Sequence, residues 1–466
     1  MPGSPDSPMR VAIVGSGPAG FYAAEHLLRR EDVTVEVDMF DRLPTPFGLV
    51  RGGVAPDHPK IKSVIRVYEK TAARGGFRFF GNVHLGRDVS PAELAERYHA
   101  VIYAYGAETD RHLGIPGEDL AGSGPATAFV GWYNAHPDYA DLEFDLSCER
   151  AVVIGNGNVA ADVTRMLALT REELATTDTA DHAIEGLGEC RVREIVVLGR
   201  RGPVQAAFTN PELRELGEMA DADIHVDPAQ LELDELSRAY LESEADITAR
   251  KNFEILSQFA SKRPEGKPRR IVLRFLASPV EIQGDGRVER VVVGRNELYR
   301  DETGAIRPRD TGERETLEAG LVLRSIGYKG IPAEGMPFDE RRGVIPNEAG
   351  RVIEDGDHLR GQYAVGWIKR GPTGVIGTNK KDAQDTVDRV FEDLEAGRMH
   401  GPPHPEPGAI EALLRERCDH VSYKGWEAID RAEVERGEPQ GRPRVKFCSI
   451  EEMVALASRA ADPVAG

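Results

Sequence analysis

A chain of 466 residues exceeds one ordinary core, so two or more domains are expected at roughly 100 to 200 residues each. With 40% hydrophobic and 29% charged residues, and no run near the roughly 20 apolar residues of a membrane span, no membrane insertion is expected. A net charge of −19 disfavours nucleic-acid binding, and the scattered Cys148, Cys190, Cys418 and Cys448 offer no CxxC pair and no metal-ligand spacing.

The start, Met1 to Arg10, carries three prolines and neither an apolar signal core nor an arginine-rich amphipathic pattern, which predicts a cytoplasmic, bacterial protein. Residues 10–14 then read as a buried parallel strand, followed at once by Gly15-Ser-Gly17-Pro18-Ala19-Gly20 and a helical pattern over 21–30. This is a full GxGxxG fingerprint: Gly15 for the tight turn, Gly17 for approach to a pyrophosphate, Gly20 for close helix packing. The next strand, over 33–40, ends in Asp41, where a carboxylate accepts hydrogen bonds from a ribose but repels a 2′-phosphate.

A second strand at 151–154 runs into Gly155-Asn156-Gly157-Asn158-Val-Ala160, a GxGxxA turn, and a helix over 159–169. The strand that follows, Glu194 to Leu198, ends in Gly199-Arg200-Arg201, so two guanidiniums occupy the ribose-reading corner and suit a phosphate. Two dinucleotide sites of opposite charge in one chain predict FAD at the first and NADPH at the second. Short strands near 270–275, 280–283 and 288–293 predict a β-meander. A third glycine-rich segment, Gly366 to Gly377, precedes a helix over 380–394, whose N-terminus suits negative charge on a reduced flavin.

The expected fold is α/β, with two Rossmann-like dinucleotide-binding domains and the NADP domain inserted into a discontinuous FAD domain. Residues 1–109 and 330–400 make the FAD domain and 110–329 the NADPH domain. Residues 401–466 make a proline-rich linker and a C-terminal helical tail packed on the FAD domain.

Together these residues resemble the adrenodoxin reductase-like branch of the ferredoxin–NADP+ reductases over nearly the whole chain. The specific matches are Pro46-Phe-Gly-Leu49-Val-Arg-Gly-Gly-Val-Ala-Pro-Asp-His58-Pro, Gly155-Asn-Gly-Asn158, Arg200-Arg201-Gly-Pro, Glu212-Leu-Arg-Glu-Leu and Gly366-Trp367-Ile-Lys-Arg-Gly-Pro-Thr-Gly374. The resemblance implies FAD contacts from the first glycine loop, from Asp41 where the family usually has Glu, and from Leu49, Leu85, Trp367, Gly374, Val375 and Ile376. It implies NADP contacts from Gly155, Asn156, Gly157, Asn158, Arg200, Arg201, Glu212 and Gly374. His58 and Glu212 match a polar pair near the reacting rings, with positioning and proton management as the implied catalytic roles.

The implied activity is that of an FAD-dependent oxidoreductase passing hydride from NADPH to flavin and single electrons to a ferredoxin or flavodoxin-like acidic carrier. A negatively charged chain needs a local basic dock for such a partner. The candidates are Arg51, Lys60, Lys62 and Arg66, with Arg250, Lys251, Lys262, Arg263, Lys267, Arg269 and Arg270 in the insert. A flavoprotein of the glutamate synthase small-subunit type shares both fingerprints but carries a cysteine-rich cluster segment that this chain lacks. A thioredoxin reductase-type enzyme would need a CxxC. A non-enzymatic dinucleotide sensor is the remaining alternative.

Overall fold

The structure, a computed structural model, describes residues 2–461, so Met1 and residues 462–466 of the expected end segments lie outside the described residues. The chain divides into two compact units. One comprises the residues up to Val54, His58–Thr109 and those from Gly327 onward; the other comprises Ala55–Asp57 and Asp110–Ile326.

In the first unit a seven-stranded sheet has Met9–Val14 near its middle, flanked by Val35–Phe40 and Ala100–Tyr103 in parallel. Side chains alternate across a strand, and this one sorts accordingly. Met9, Val11 and Ile13 join the cluster built with the helices Pro18–Leu28 and Thr378–Glu395. Ala12 and Val14 join the opposite cluster, with Leu94, Val101 and Tyr103. The strand Asp357–Ala364 pairs in parallel with Ala100–Tyr103, so the end of the chain completes the sheet that its beginning starts. The C-terminal helices close both faces. Ile410 and Leu414 cover one, and Trp426, Ile429, Met453 and Ala457 the other.

The second unit repeats the plan with a six-stranded parallel sheet in which Arg150–Ile154 lies between Leu321–Arg324 and Glu194–Leu198. The expected meander differs in membership. Its first predicted strand, Arg269–Arg274, belongs to the parallel sheet beside Glu194–Leu198. The three-stranded sheet is built instead from Ala277–Gln283, Arg290–Arg300 and Ile306–Glu318. The last strand escapes a sequence reading because it is exposed on both faces, carries Pro308 and Gly312, and so has no hydrophobic alternation to detect.

One feature inside the first sheet runs against an apolar strand. Arg10 and Asp38 are 3% and 1% exposed, and their ion pair measures 2.5 Å. Asp38 also accepts from the Arg78 guanidinium at 2.7 and 2.6 Å and from the Tyr98 hydroxyl at 2.6 Å. Arg10 further donates to the Pro405 carbonyl at 2.9 Å, tying the linker to the sheet. Removing one partner of such a pair strands a buried charge, which costs about 3–5 kcal/mol, whereas one neutral donor to a charged acceptor is worth about 1.5–3 kcal/mol. Asp38→Ala is therefore expected to destabilise the protein markedly more than Tyr98→Phe in urea titrations. Equal losses would show that the hydroxyl, not the charge pair, carries the network.

Candidate functional site

The first glycine loop contains glycines of two kinds. Gly15 has φ +108°, and a Cβ there would lie 2.6 Å from the Ala104 carbonyl; a Cβ on Gly20 would lie 2.1 Å from the Gly15 oxygen. The chain itself requires these two. Gly17 has an ordinary extended backbone, φ −76° and ψ −174°, and a Cβ on it would meet only the Gly48 Cα at 4.0 Å. Neither strain nor packing explains a glycine there, whereas a pyrophosphate drawn against the backbone does. The helix Pro18–Leu28 has Pro18 in its first turn, no side-chain cap and no acid in that turn, so its amide donors remain available to an anion. Ala19 is buried beneath them.

Asp41 turns towards this loop. Its carboxylate accepts the Ser16 amide at 2.9 Å, the Ser16 hydroxyl and, through the other oxygen, the Leu43 amide at 2.9 Å. Of about four acceptor positions on a carboxylate, roughly one remains for a ribose hydroxyl. Leu85 is half-buried on the segment that passes Asp41, where the Val83 amide donates to the Asp41 carbonyl at 2.8 Å.

The third glycine segment meets the first. Gly366, at φ +74°, lies so close to the Pro18–Leu28 helix that a Cβ would be 2.6 Å from that of Ala19. Lys369 and Arg370 both pair with Asp382, at 2.9 and 3.2 Å, and the Gly366 amide donates to the same carboxylate at 2.6 Å. Trp367 stacks at a tilt on Tyr328, its indole nitrogen buried and without a hydrogen bond. Gly374 has φ +82°, Val375 is 55% exposed and Ile376 half-buried. Leu49 is 37% exposed. Two exposed aliphatic side chains and an unpartnered indole N–H on loops bordering an uncapped helix suit a flat, partly polar ring system, and these residues fit a flavin.

Leu49 follows a strained turn. Phe47 has φ +85°, a conformation that costs a bulky residue on the order of 1–3 kcal/mol. His58 begins the short helix Pro59–Lys62 and accepts the Ile61 amide through its carbonyl at 3.1 Å, while its imidazole makes no cap bond.

In the second unit the same division recurs. Gly155 has φ +128°, and its Cβ would lie 2.1 Å from the Ser325 oxygen; around Gly157 a Cβ would meet nothing within 4 Å. The helix Asn158–Ala168 is likewise uncapped and without an acid in its first turn. The Asn156 side-chain nitrogen is buried and unpartnered, and Asn158 accepts the Thr209 amide at 2.8 Å. Arg200 is exposed and Arg201 half-buried, and neither guanidinium has an ion pair or hydrogen bond among the described residues. Burial first, then the charges of Arg200 and Arg307, holds Arg201 below the usual arginine range. Such a cation gains by meeting a phosphate.

Glu212 is buried in the first turn of Asn210–Leu216 and accepts from Arg165 at 2.8 Å. Arg165 was not singled out from the sequence. It is 2% exposed and also pairs with Asp57 and Asp162, at 2.8 and 2.7 Å. A signal existed: Asp162 and Arg165 stand three apart among buried Val163, Met166 and Leu167, where solvated charges do not belong.

Several cations of the expected dock in the insert already have partners within the chain, while Lys251 and Arg263 are exposed. Arg250 donates to the Ala245 and Glu242 carbonyls. Lys262 and Lys267 pair with Glu265, Arg270 pairs with Glu194, and Arg269 donates to Val192 and Ala168. Arg51 is likewise spent on Glu433. Backbone carbonyls hold Arg250 and Arg269 without cancelling their charge, whereas Glu265 and Glu194 offset that of Lys262, Lys267 and Arg270. Lys60, Arg66 and Lys70 remain exposed beside Ile61 and Val67, each 40% exposed, on the segment after the Leu49 loop.

The family model for pyridine nucleotide-disulphide oxidoreductases matches residues 9–196. The chain is 53% identical to the NADPH-ferredoxin reductase FprA of Mycobacterium leprae, covering 96% of this chain and 98% of that protein. It is 42% identical to the mitochondrial NADPH:adrenodoxin oxidoreductase of Arabidopsis thaliana over 97% of this chain and 96% of that one. The solved structure of Mycobacterium tuberculosis FprA in complex with NADPH superimposes with a TM-score of 0.91 at 51% identity, covering 97% of this chain and all of that one. The chain belongs to the ferredoxin–NADP+ reductases of the adrenodoxin reductase type.

Proposed function

We propose that the two loop systems divide the work of an NADPH-dependent ferredoxin reductase by charge. The observation that carries this division is the residue pair at equivalent ends of equivalent strands: Asp41 after Val35–Phe40, and Arg200 and Arg201 after Glu194–Leu198. Each strand lies parallel to the strand that bears the neighbouring glycine loop. Acid at one corner favours the unphosphorylated ribose of FAD, and unpaired guanidiniums at the other favour the 2′-phosphate of NADPH.

FAD, when bound, supplies the redox chemistry, exchanging a hydride with NADPH and single electrons with an iron–sulfur carrier. The chain's residues bind and orient. Gly15, Gly17, Pro18, Ala19 and Gly20 receive the FAD pyrophosphate, Asp41 its ribose, and Leu49, Leu85, Trp367 and Gly374 to Ile376 hold the ring system. Gly155 to Asn158 receive the NADPH pyrophosphate. His58 and Glu212 orient the reacting groups and manage protons, and Arg165 fixes the direction of Glu212. The acidic carrier docks over Lys60, Arg66 and Lys70, where uncommitted cations and exposed Ile61 and Val67 lie together on an otherwise acidic chain. A cytoplasmic location is part of the same reading. Burial pushes the Cys148 and Cys190 thiols up and the Cys418 thiol up to about 11, as suits inert thiols of a reducing compartment.

Neutralising both Arg200 and Arg201 is expected to raise KM for NADPH by about a hundredfold or more, since two charge-assisted contacts at about 1.5–3 kcal/mol each sum to about 3–6 kcal/mol. KM for NADH should hardly change, and a parallel rise in both would refute the assignment. Because a Cβ at Gly17 would meet protein only at ordinary contact distance and one at Gly157 would meet none within 4 Å, Gly17→Val should yield folded protein without flavin. Gly157→Val should keep flavin and lose NADPH binding. Absorbance spectra and coenzyme titrations separate these outcomes, and flavin at full occupancy in Gly17→Val would remove FAD from the first loop. For the dock, reversing Lys60, Arg66 and Lys70 to Glu should cut ferredoxin reduction at low salt while leaving ferricyanide reduction intact. Raising the ionic strength of the wild-type assay should reproduce the loss, because association steered by exposed charge is screened beyond about 8 Å at physiological salt.

A further inference from the structure

The strained turn at Phe47 is held from a distant part of the chain. The Phe47 amide donates to the Ser16 carbonyl of the first glycine loop at 3.0 Å. Its ring, 1% exposed, packs against Phe21 and Tyr68 and edge-on against Trp426 at 5.7 Å. Four residues on, Arg51 makes two hydrogen bonds to Glu433, at 2.8 and 2.5 Å, with its guanidinium 5.1 Å from the Trp426 ring centre. Lys446 donates to the Arg51 carbonyl at 3.1 Å.

Trp426 and Glu433 lie on the helix Tyr423–Gly437, and Glu433 is fully buried. Its carboxylate also receives the Phe447 amide at 3.0 Å and pairs with Arg444 at 3.3 Å. Burial works against this charge, but Arg51, Arg444 and the Phe447 amide outweigh it and keep the carboxyl below its usual range. A fully buried acid with so many donors is expensive to build. Two of these four contacts go to Arg51, at the end of the turn that presents Leu49 and, through Gly48, abuts Gly17, where a Cβ on Gly48 would lie 2.9 Å from the Gly17 Cα.

We propose that the segment from Tyr423 to Phe447 is a latch that keeps the Phe47–Gly53 turn in its flavin-receiving form, with Glu433 as a positioning residue acting through Arg51. The inference rests on the reading that this turn and the first glycine loop hold FAD. It deepens that reading by making cofactor retention depend on the C-terminal helices. Strained backbone persists only where its surroundings over-determine it, and here the tail adds Trp426, Glu433 and Lys446 to the supports given by Ser16, Phe21 and Tyr68.

The test uses purified full-length holoenzyme carrying Glu433→Gln, Arg51→Gln or both, with Arg417→Ala as control. Arg417 also anchors the tail, through Glu93 at 2.7 Å, but on an element away from the turn. Glu433→Gln is expected to speed FAD dissociation at least tenfold and to alter the visible circular dichroism of the bound flavin. KM for NADPH, measured on flavin-replete samples, should move less than twofold. The double variant should add little to either single, as two ends of one link should. Arg417→Ala should lower the melting temperature without changing flavin dissociation.

Wild-type flavin dissociation in Glu433→Gln, or an equal loss from Arg417→Ala, would overturn the latch. If Glu433→Gln does not fold, Arg51→Gln, on the less buried side of the pair, decides by the same readouts. Gly17→Val separates the two levels of the argument. Flavin lost there but kept in Glu433→Gln sinks only the latch, whereas flavin kept in Gly17→Val sinks the FAD assignment beneath it.

Discussion

A pyrophosphate held by backbone amides must come within hydrogen-bond distance of the main chain, and no side chain can intervene. Most of what is distinctive here follows from that constraint. A strand has to stop so that its following turn faces outward, the next helix has to begin without a capping side chain, and one position has to carry no Cβ. Gly17 and Gly157 meet the last condition in its pure form, because neither has unusual backbone angles and neither is crowded by the chain. Their partners Gly15 and Gly155 differ: both have positive φ and both abut a neighbouring strand's carbonyl, so they serve the fold. The same turn thus contains one glycine kept for the protein and one kept for a ligand.

On the reading that each glycine loop takes a pyrophosphate, discrimination falls to the ribose corner. There the difference is electrostatic. Asp41 is bound to its own glycine loop through Ser16, which fixes its direction at the expense of acceptor capacity. Arg200 and Arg201 are left without carboxylates in a protein that pairs most of its other arginines, several of them deeply buried. Against a net charge of −19, an uncompensated cationic pair at the end of Glu194–Leu198 is what sets this corner apart from that of Asp41.

The parallel strands and glycine turns were readable because their signals are local: short apolar runs, then glycine at fixed spacing, then helical periodicity. The strand boundaries at Arg150–Ile154 and Glu194–Leu198 lie within a residue of their sequence reading. What could not be read depends on contacts between distant residues. Ile306–Glu318 has no buried face to betray it, so its pairing with Arg290–Arg300 alone makes it a strand. Arg10 and Asp38 look like errors in apolar strands until the sheet places them side by side. The positive φ of Phe47 has no sequence signature, since only its surroundings make it tolerable. The state of each cation in the insert was illegible for the converse reason. A run of basic residues shows charge but not whether helix ends and nearby acids have already taken it up, as Arg250, Lys267 and Arg270 show.

Chain order adds a final consequence. The six-stranded sheet of the insert draws every strand from between Ser123 and Arg324, so its pairings can close as soon as that stretch exists. The seven-stranded sheet cannot, because Asp357–Ala364 must pair with Ala100–Tyr103 across the whole insert. Gly366, which abuts Ala19, follows that strand in the chain, and Glu433, which pairs with Arg51, follows later still. Non-local pairings cost loop-closure entropy before they return any stabilisation. The elements assigned to FAD are therefore the last to be completed in the chain's own order, and the strained turn at Phe47 acquires all its supports only when the final helices are in place. A binding surface completed by the last-made elements of its own unit couples possession of the cofactor to possession of a finished fold.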